Sequence, residues 1–120
     1  MGAFASLAYT STHSFNNACI LQILDSVFSN FESVCKQRAK LHYGFPDFLV
    51  NYSVNILKKN LSSHQFNPFD FNLKEKAAFC SVPTIFVYNE KDDVIPCENT
   101  EELINEISKR CSYERLIIKD

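Results

Sequence analysis

The sequence holds only two glycines, Gly2 and Gly44, no tryptophan and no low-complexity tract, so its turns have to be made by Pro, Asn, Ser and Asp. No internal repeat is present, which excludes a solenoid or a propeller. No apolar run approaches the roughly 20 residues of a membrane-spanning helix, and no Lys or Arg stands before Lys36, so the charged start of a signal peptide is missing too. An excess of cations is absent as well. Twelve Lys plus Arg against fourteen Asp plus Glu give a formal charge of -2, without the basic field that a phosphate backbone requires. The expectation is a soluble cytoplasmic chain with no transmembrane segment and no nucleic-acid partner.

Nor is there a CxxC. Cys19, Cys35, Cys80, Cys97 and Cys111 are odd in number and widely spaced, which argues against paired zinc ligands or a secreted disulfide framework and for reduced, packed thiols. No metal and no cofactor are expected. What is present, 120 residues with 46% hydrophobic and 22% charged side chains, suffices for one domain around one core.

Three strands stand out. Residues 18–25 form a nearly unbroken apolar run closed by Asp25-Ser26, which suits a strand covered on both faces, as in parallel sheets. Residues 83–89 make the second strand, with Pro83 at its start where the missing donor does least harm. Residues 114–119, around Arg115-Leu116-Ile117-Ile118, make the third.

Helices fill the gaps. Asn99, three before Glu102, reads as a capping-box start for a helix whose Leu103, Ile104 and Ile107 share a face and whose Lys109-Arg110 end suits the dipole. Ser29, three before Glu32, reads as the cap of another, with Phe31, Val34 and Cys35 as its stripe. A further helix follows Pro46, and its apolar positions, Phe48, Leu49, Tyr52 and Leu57 among them, run further round than one stripe, so it lies under other structure or packs on a partner. Residues 60–79, with Phe66, Phe69, Phe71 and Phe79, read as an irregular return pinned by aromatic side chains, as core in preference to a substrate pocket. Strand, helices, strand, helix, strand argues an α/β chain with a three-stranded parallel sheet. Three strands is few for this class, a hint that part of a domain is absent.

Two stretches are similar to a known family. Met1-Gly2-Ala3 opens an apolar helix, and Asn89-Glu90-Lys91-Asp92-Asp93-Val94-Ile95-Pro96 follows a buried strand directly. Together they resemble the α/β-hydrolase family, closest to its serine-aminopeptidase-like intracellular branch. The nucleophile elbow of that family is G-x-S-x-G, with the Ser on a strained strand-to-helix turn, and Met1-Gly2-Ala3 would be the residues just after that Ser. The resemblance implies a partial α/β-hydrolase fold in which residues 1–120 form the C-terminal half of the domain, beginning after the nucleophile and ending before the catalytic His, with cap-like helices near 29–60. It implies that Asp92 is the triad acid, with Asn89 replacing the family's Gly. Met1 and Gly2 would then be the remnant of the elbow and oxyanion hole, Met1 through its N–H and Gly2 by allowing close backbone approach.

Other readings stand beside these. Asp25, at the carboxyl end of a strand, is the rival acid, or else a helix cap. Met1-Gly2-Ala3-Phe4-Ala5-Ser6 also fits the M-G-x-x-x-S pattern of N-myristoylation. Ser6, Ser11, Ser14 and Ser26 lack the elbow context of a nucleophile. His13, His42 and His64 all precede Asp92, against the family's order of Ser, acid, His. Lys58-Lys59 reads as a solvated last turn. The expected parent reaction is hydrolysis of an ester, thioester or amide, on a small-molecule or peptide acyl substrate. The isolated chain is expected to be inactive, or else to be a binding or regulatory module whose open 18–24 strand edge is covered by a partner chain or a homodimer.

Overall fold

The computed structural model describes residues 2–13, 19–64 and 67–119. Helix α1 (Gly2–Thr12) leads to strand β1 (Gln22–Asp25); then come α2 (Phe31–Tyr43), α3 (Asp47–Leu61), the short α4 (Leu73–Ala77), β2 (Thr84–Asn89), α5 (Cys97–Ile107) and β3 (Tyr113–Ile118). The strands form one parallel sheet in the order β1-β2-β3, with Leu24 opposite Phe86 and Phe86 opposite Arg115. This is the three-stranded parallel arrangement that the strand spacing predicts.

The first strand differs in one respect. Only residues 22–25 pair, and burial alternates along them, so Leu24 is buried while Ile23 is 64% exposed. The run at 18–25 therefore does not mark a strand covered on both faces. Helices α1, α4 and α5 cover one face, where Leu7, Leu73, Ala77, Leu103 and Ile107 close over Leu24 and Phe86. On the other face Ile23, Leu116 and Ile118 stay exposed, and no described element covers them. Thinness follows: the molecule measures 43 × 39 × 21 Å with a radius of gyration of 15.3 Å, against about 14 Å for a compact domain of this length.

A polar seam runs through the covered layer. Thr10 Oγ1 donates to Gln22 Oε1 at 3.1 Å, and Gln22 Nε2 donates to Thr84 Oγ1 at 2.9 Å and to Cys80 Sγ at 3.3 Å. Each group is satisfied, so the seam ties α1, β1 and β2 in one register without an orphaned donor.

The caps are one residue or more away from their expected places. Asn30 caps α2, its side chain accepting from Glu32 N and Ser33 N, while Ser29 is buried and donates to Asn99 Oδ1 and Glu102 Oε2. Helix α5 begins at Cys97 behind Pro96. Asn99 consequently lies inside the first turn, where its Nδ2 donates to Ser33 Oγ at 3.1 Å. Tertiary bonds between the two helices have taken over side chains that read locally as caps. Lys109 and Arg110 fall beyond α5, Lys109 pairing with Glu106 at 2.8 Å and Arg110 lying over the Phe79 ring. The aromatic return contains α4, with Phe69 and Phe71 half-buried, but Phe79 is 61% exposed and is no core residue. Phe66 lies outside the described residues.

Helices α2 and α3 pack on each other and project as a hairpin. Gly44, at φ 61°, takes the left-handed turn that ends α2. Glu32 holds both Lys36 and Lys58, and the two ammonium groups lower its carboxyl below the ordinary 4.5. Lys58 is thus a partner across the hairpin and not a purely solvated end.

Candidate functional site at the carboxyl ends of the strands

The direction of α1 fixes which end of the sheet carries the candidate residues. Thr10, near its end, bonds Gln22 at the start of β1, and Phe4, near its beginning, stacks on Phe28 beyond the end of β1 with ring centroids 4.8 Å apart. The helix therefore runs opposite to the strands, and Gly2 lies at their carboxyl ends with Asp25 and Asp92, where open α/β sheets bind and react. His13 lies at the other end, stacked on Tyr9 at 4.4 Å.

Asp92 stands on the loop between β2 and α5. Its N–H donates to Asn89 O at 3.3 Å, and its Oδ1 accepts from Val94 N at 2.8 Å and Ile95 N at 2.9 Å. This Asx-type turn fixes the carboxylate through one oxygen. Asn89 supports the same loop, its Oδ1 accepting from Lys91 N at 2.8 Å. Asp93 is exposed beside it.

Asp25 is exposed at the end of β1 and accepts from Ser26 Oγ at 3.0 Å; it caps no helix. Ser26 holds a φ of 48° while its N–H bonds Val87 O at 2.8 Å, a strained turn for a non-glycine residue. Gly2 opens α1, but a Cβ there would meet nothing within 4 Å, so close approach does not explain this glycine among the described residues. Met1 and Ser14 lie outside them.

Beside Gly2 opens an apolar cavity of about 470 Å³ walled by Phe4, Ala5, Phe28, Phe31 and Phe71. In the sequence a pocket ranks second to core for the Phe-rich 66–79 stretch, and the walls contributed by α1 and by Phe28 and Phe31 are not foreseen. Nor did local spacing reveal the cluster of buried Ser29 and Asn99 with the exposed Glu102. No described histidine bonds Asp92, and no group of three or more His, Cys, Asp or Glu side chains gathers among the described residues to hold a metal.

Solved structures share this arrangement. An esterase from Pyrococcus furiosus superposes with a TM-score of 0.62 at 15% identity, over 98% of this chain and 40% of the esterase. A puromycin-hydrolyzing peptidase from Mycobacterium tuberculosis gives 0.63 at 13%, over 98% of this chain and 16% of the peptidase. An α/β fold family hydrolase from Bacillus anthracis gives 0.62 at 10%, over 98% and 55%. The fold is part of an α/β-hydrolase fold. The chain spans from about one sixth to just over half the length of these structures. No protein-family model and no curated protein matches the sequence. None of the described helices is long and apolar enough to cross a membrane.

Proposed function

We propose that these 120 residues are the acid-bearing C-terminal half of a serine hydrolase domain that cleaves an ester, thioester or amide, with nucleophile and His supplied from outside this segment. The observation that carries this reading is Asp92, held on the turn straight after β2, in a fold shared with an esterase, a peptidase and a hydrolase. Both turn bonds fall on Oδ1, so Oδ2 is the atom to accept from an imidazole N–H and stabilise the imidazolium formed as the nucleophile loses its proton. The apolar cavity beside Gly2 suits the acyl portion of the substrate.

Two measurements test it. The purified chain is expected to give no turnover of p-nitrophenyl acetate above a denatured control; saturable turnover abolished by Asp92→Asn overturns the proposal. Transcript sequencing with mass spectrometry of the native protein is expected to find a preceding G-x-S and a following His. In that longer protein Asp92→Asn keeps the oxygen that holds the turn, yet lowers kcat by about 10⁴, as neutralising a triad acid does.

A second reading, a non-catalytic module that binds a partner chain or forms a homodimer, is favoured by one observation. β1 pairs only with β2 among the described residues, and Ile20 and Leu21 just ahead of it and Ile23 within it are 88%, 47% and 64% exposed. Light scattering separates the readings: self-association through this edge is dissolved by Ile23→Lys, since an edge charge blocks strand addition.

A further inference from the structure

Helix α3 has two apolar faces. At 100° per residue, Val50, Val54, Leu57 and Leu61 share one arc, where Val50 and Val54 are buried against the hairpin interior. Phe48, Tyr52 and Ile56 occupy the opposite arc and are 74%, 64% and 42% exposed. The hairpin tip adds Tyr43 and Phe45, whose rings stack 5.6 Å apart while both stay exposed.

Charge is distributed unevenly between the hairpin and the rest of the chain. Residues 30–62 carry five cations against two carboxylates, whereas the rest of the chain carries seven cations against twelve carboxylates. Both hairpin carboxylates are already engaged, Glu32 by Lys36 and Lys58, and Asp47 by Lys40 at 2.6 Å. Arg38 and Lys59 have no acidic partner among the described residues. Lys59, three positions after Ile56, lies on the outward arc itself.

We propose that this outward face of the α2–α3 hairpin docks on an anionic lipid surface. Phe48, Tyr52 and Ile56 enter the headgroup boundary, and Lys59 meets the phosphate and carboxylate groups there. Charge selects this occupant: a two-fold contact with a second copy sets two net-positive hairpins, each with Lys59 on its contact face, against each other, whereas an anionic leaflet attracts basic side chains close to its surface. Shape agrees, because aromatic side chains projecting from a convex helix are accommodated by a fluid interface without a matching groove. The proposal is independent of the hydrolase reading, since Asp92 has no part in it.

The test is co-sedimentation of the chain, made in a bacterial host so that no acyl group sits on Gly2, with vesicles of phosphatidylserine and phosphatidylcholine in equal parts. Binding is expected, falling as salt rises and far weaker on phosphatidylcholine alone. Phe48→Ser with Tyr52→Ser lowers it at least about tenfold. Lys59→Gln lowers it about fivefold, equivalent to the ~1 kcal/mol of one basic side chain at such a surface. All three positions are exposed, so melting followed by circular dichroism is expected to stay unchanged. Absence of binding, equal binding to neutral vesicles, or binding that both variants leave intact overturns the proposal. Retention on polyglutamate without vesicle binding, or a dimer that the double variant dissolves, also overturns it and names an acidic protein or a second copy as the occupant.

Discussion

The uncovered face of the sheet and the outward face of α3 both present apolar side chains to water, yet their backbones need different things. Every interior N–H and C=O of α3 is bonded within the helix, so its outward face lacks only something to cover side chains. Among the described residues the strand β1 also lacks a hydrogen-bonding neighbour along a whole edge, and beside it the open face mixes Ile23 and Leu116 with Asp25 and Glu114. A fluid surface can satisfy the helix, whereas only another strand can satisfy the edge. The difference teaches that one chain can leave two apolar surfaces open for unlike reasons.

The largest effect expected lies between the two faces of the sheet itself. Phe86→Ala, on the covered face, is expected to destabilise by about 3–5 kcal/mol through loss of a fully buried ring. Leu116→Ser, on the open face, is expected to change stability by under ~0.5 kcal/mol and to reduce aggregation. Urea denaturation of both variants makes the comparison, and equal costs would mean that the open face is covered in solution.

A smaller effect separates the hairpin from the sheet by pH. Glu32 has its pKa lowered by Lys36 and Lys58, so its contribution is present above about pH 4.5 and is lost as pH falls through the lowered value. Glu32→Gln is expected to cost under ~1 kcal/mol at neutral pH, as partly exposed ion pairs do. Wild type and variant should converge, in stability followed by circular dichroism, only once pH has fallen below that lowered value. A difference that persists in acid would assign the loss to packing and not to charge.

The smallest effect concerns rates of thiol modification. Burial, with Cys80 beside it, pushes the Cys111 thiol up to about 11, while Cys19 is exposed ahead of β1. At pH 8 the exposed Cys19 is expected to react first with a disulfide reagent, and Cys111 only as the sheet opens. Mass spectrometry of partially labelled protein checks the order. Prompt labelling of Cys111 would mean that the covered face breathes as freely as the open one.

Period and punctuation made much of the fold legible. The apolar runs read as strands at 18–25, 83–89 and 114–119, spaced by segments long enough for crossovers, led to the parallel three-stranded sheet that the structure shows at 22–25, 84–89 and 113–118. Pro46 marked the start of α3. Capping side chains misled because Ser29 and Asn99 satisfy one another across helices, a bond that no local spacing announces. Asp92 was legible as a loop residue through its neighbours, but the Asx turn that fixes one of its oxygens was not.

By itself the sequence determined the class of the chain, the direction of its sheet and the two-faced character of α3, because hydrophobic period and crossover length are local quantities. Only the tertiary structure decided which face of the sheet is covered, where α1 begins relative to Asp25 and Asp92, and that Phe4, Phe28, Phe31 and Phe71 enclose a cavity. Those depend on side chains far apart in sequence meeting in one place, and close packing settles such meetings for the whole layer at once.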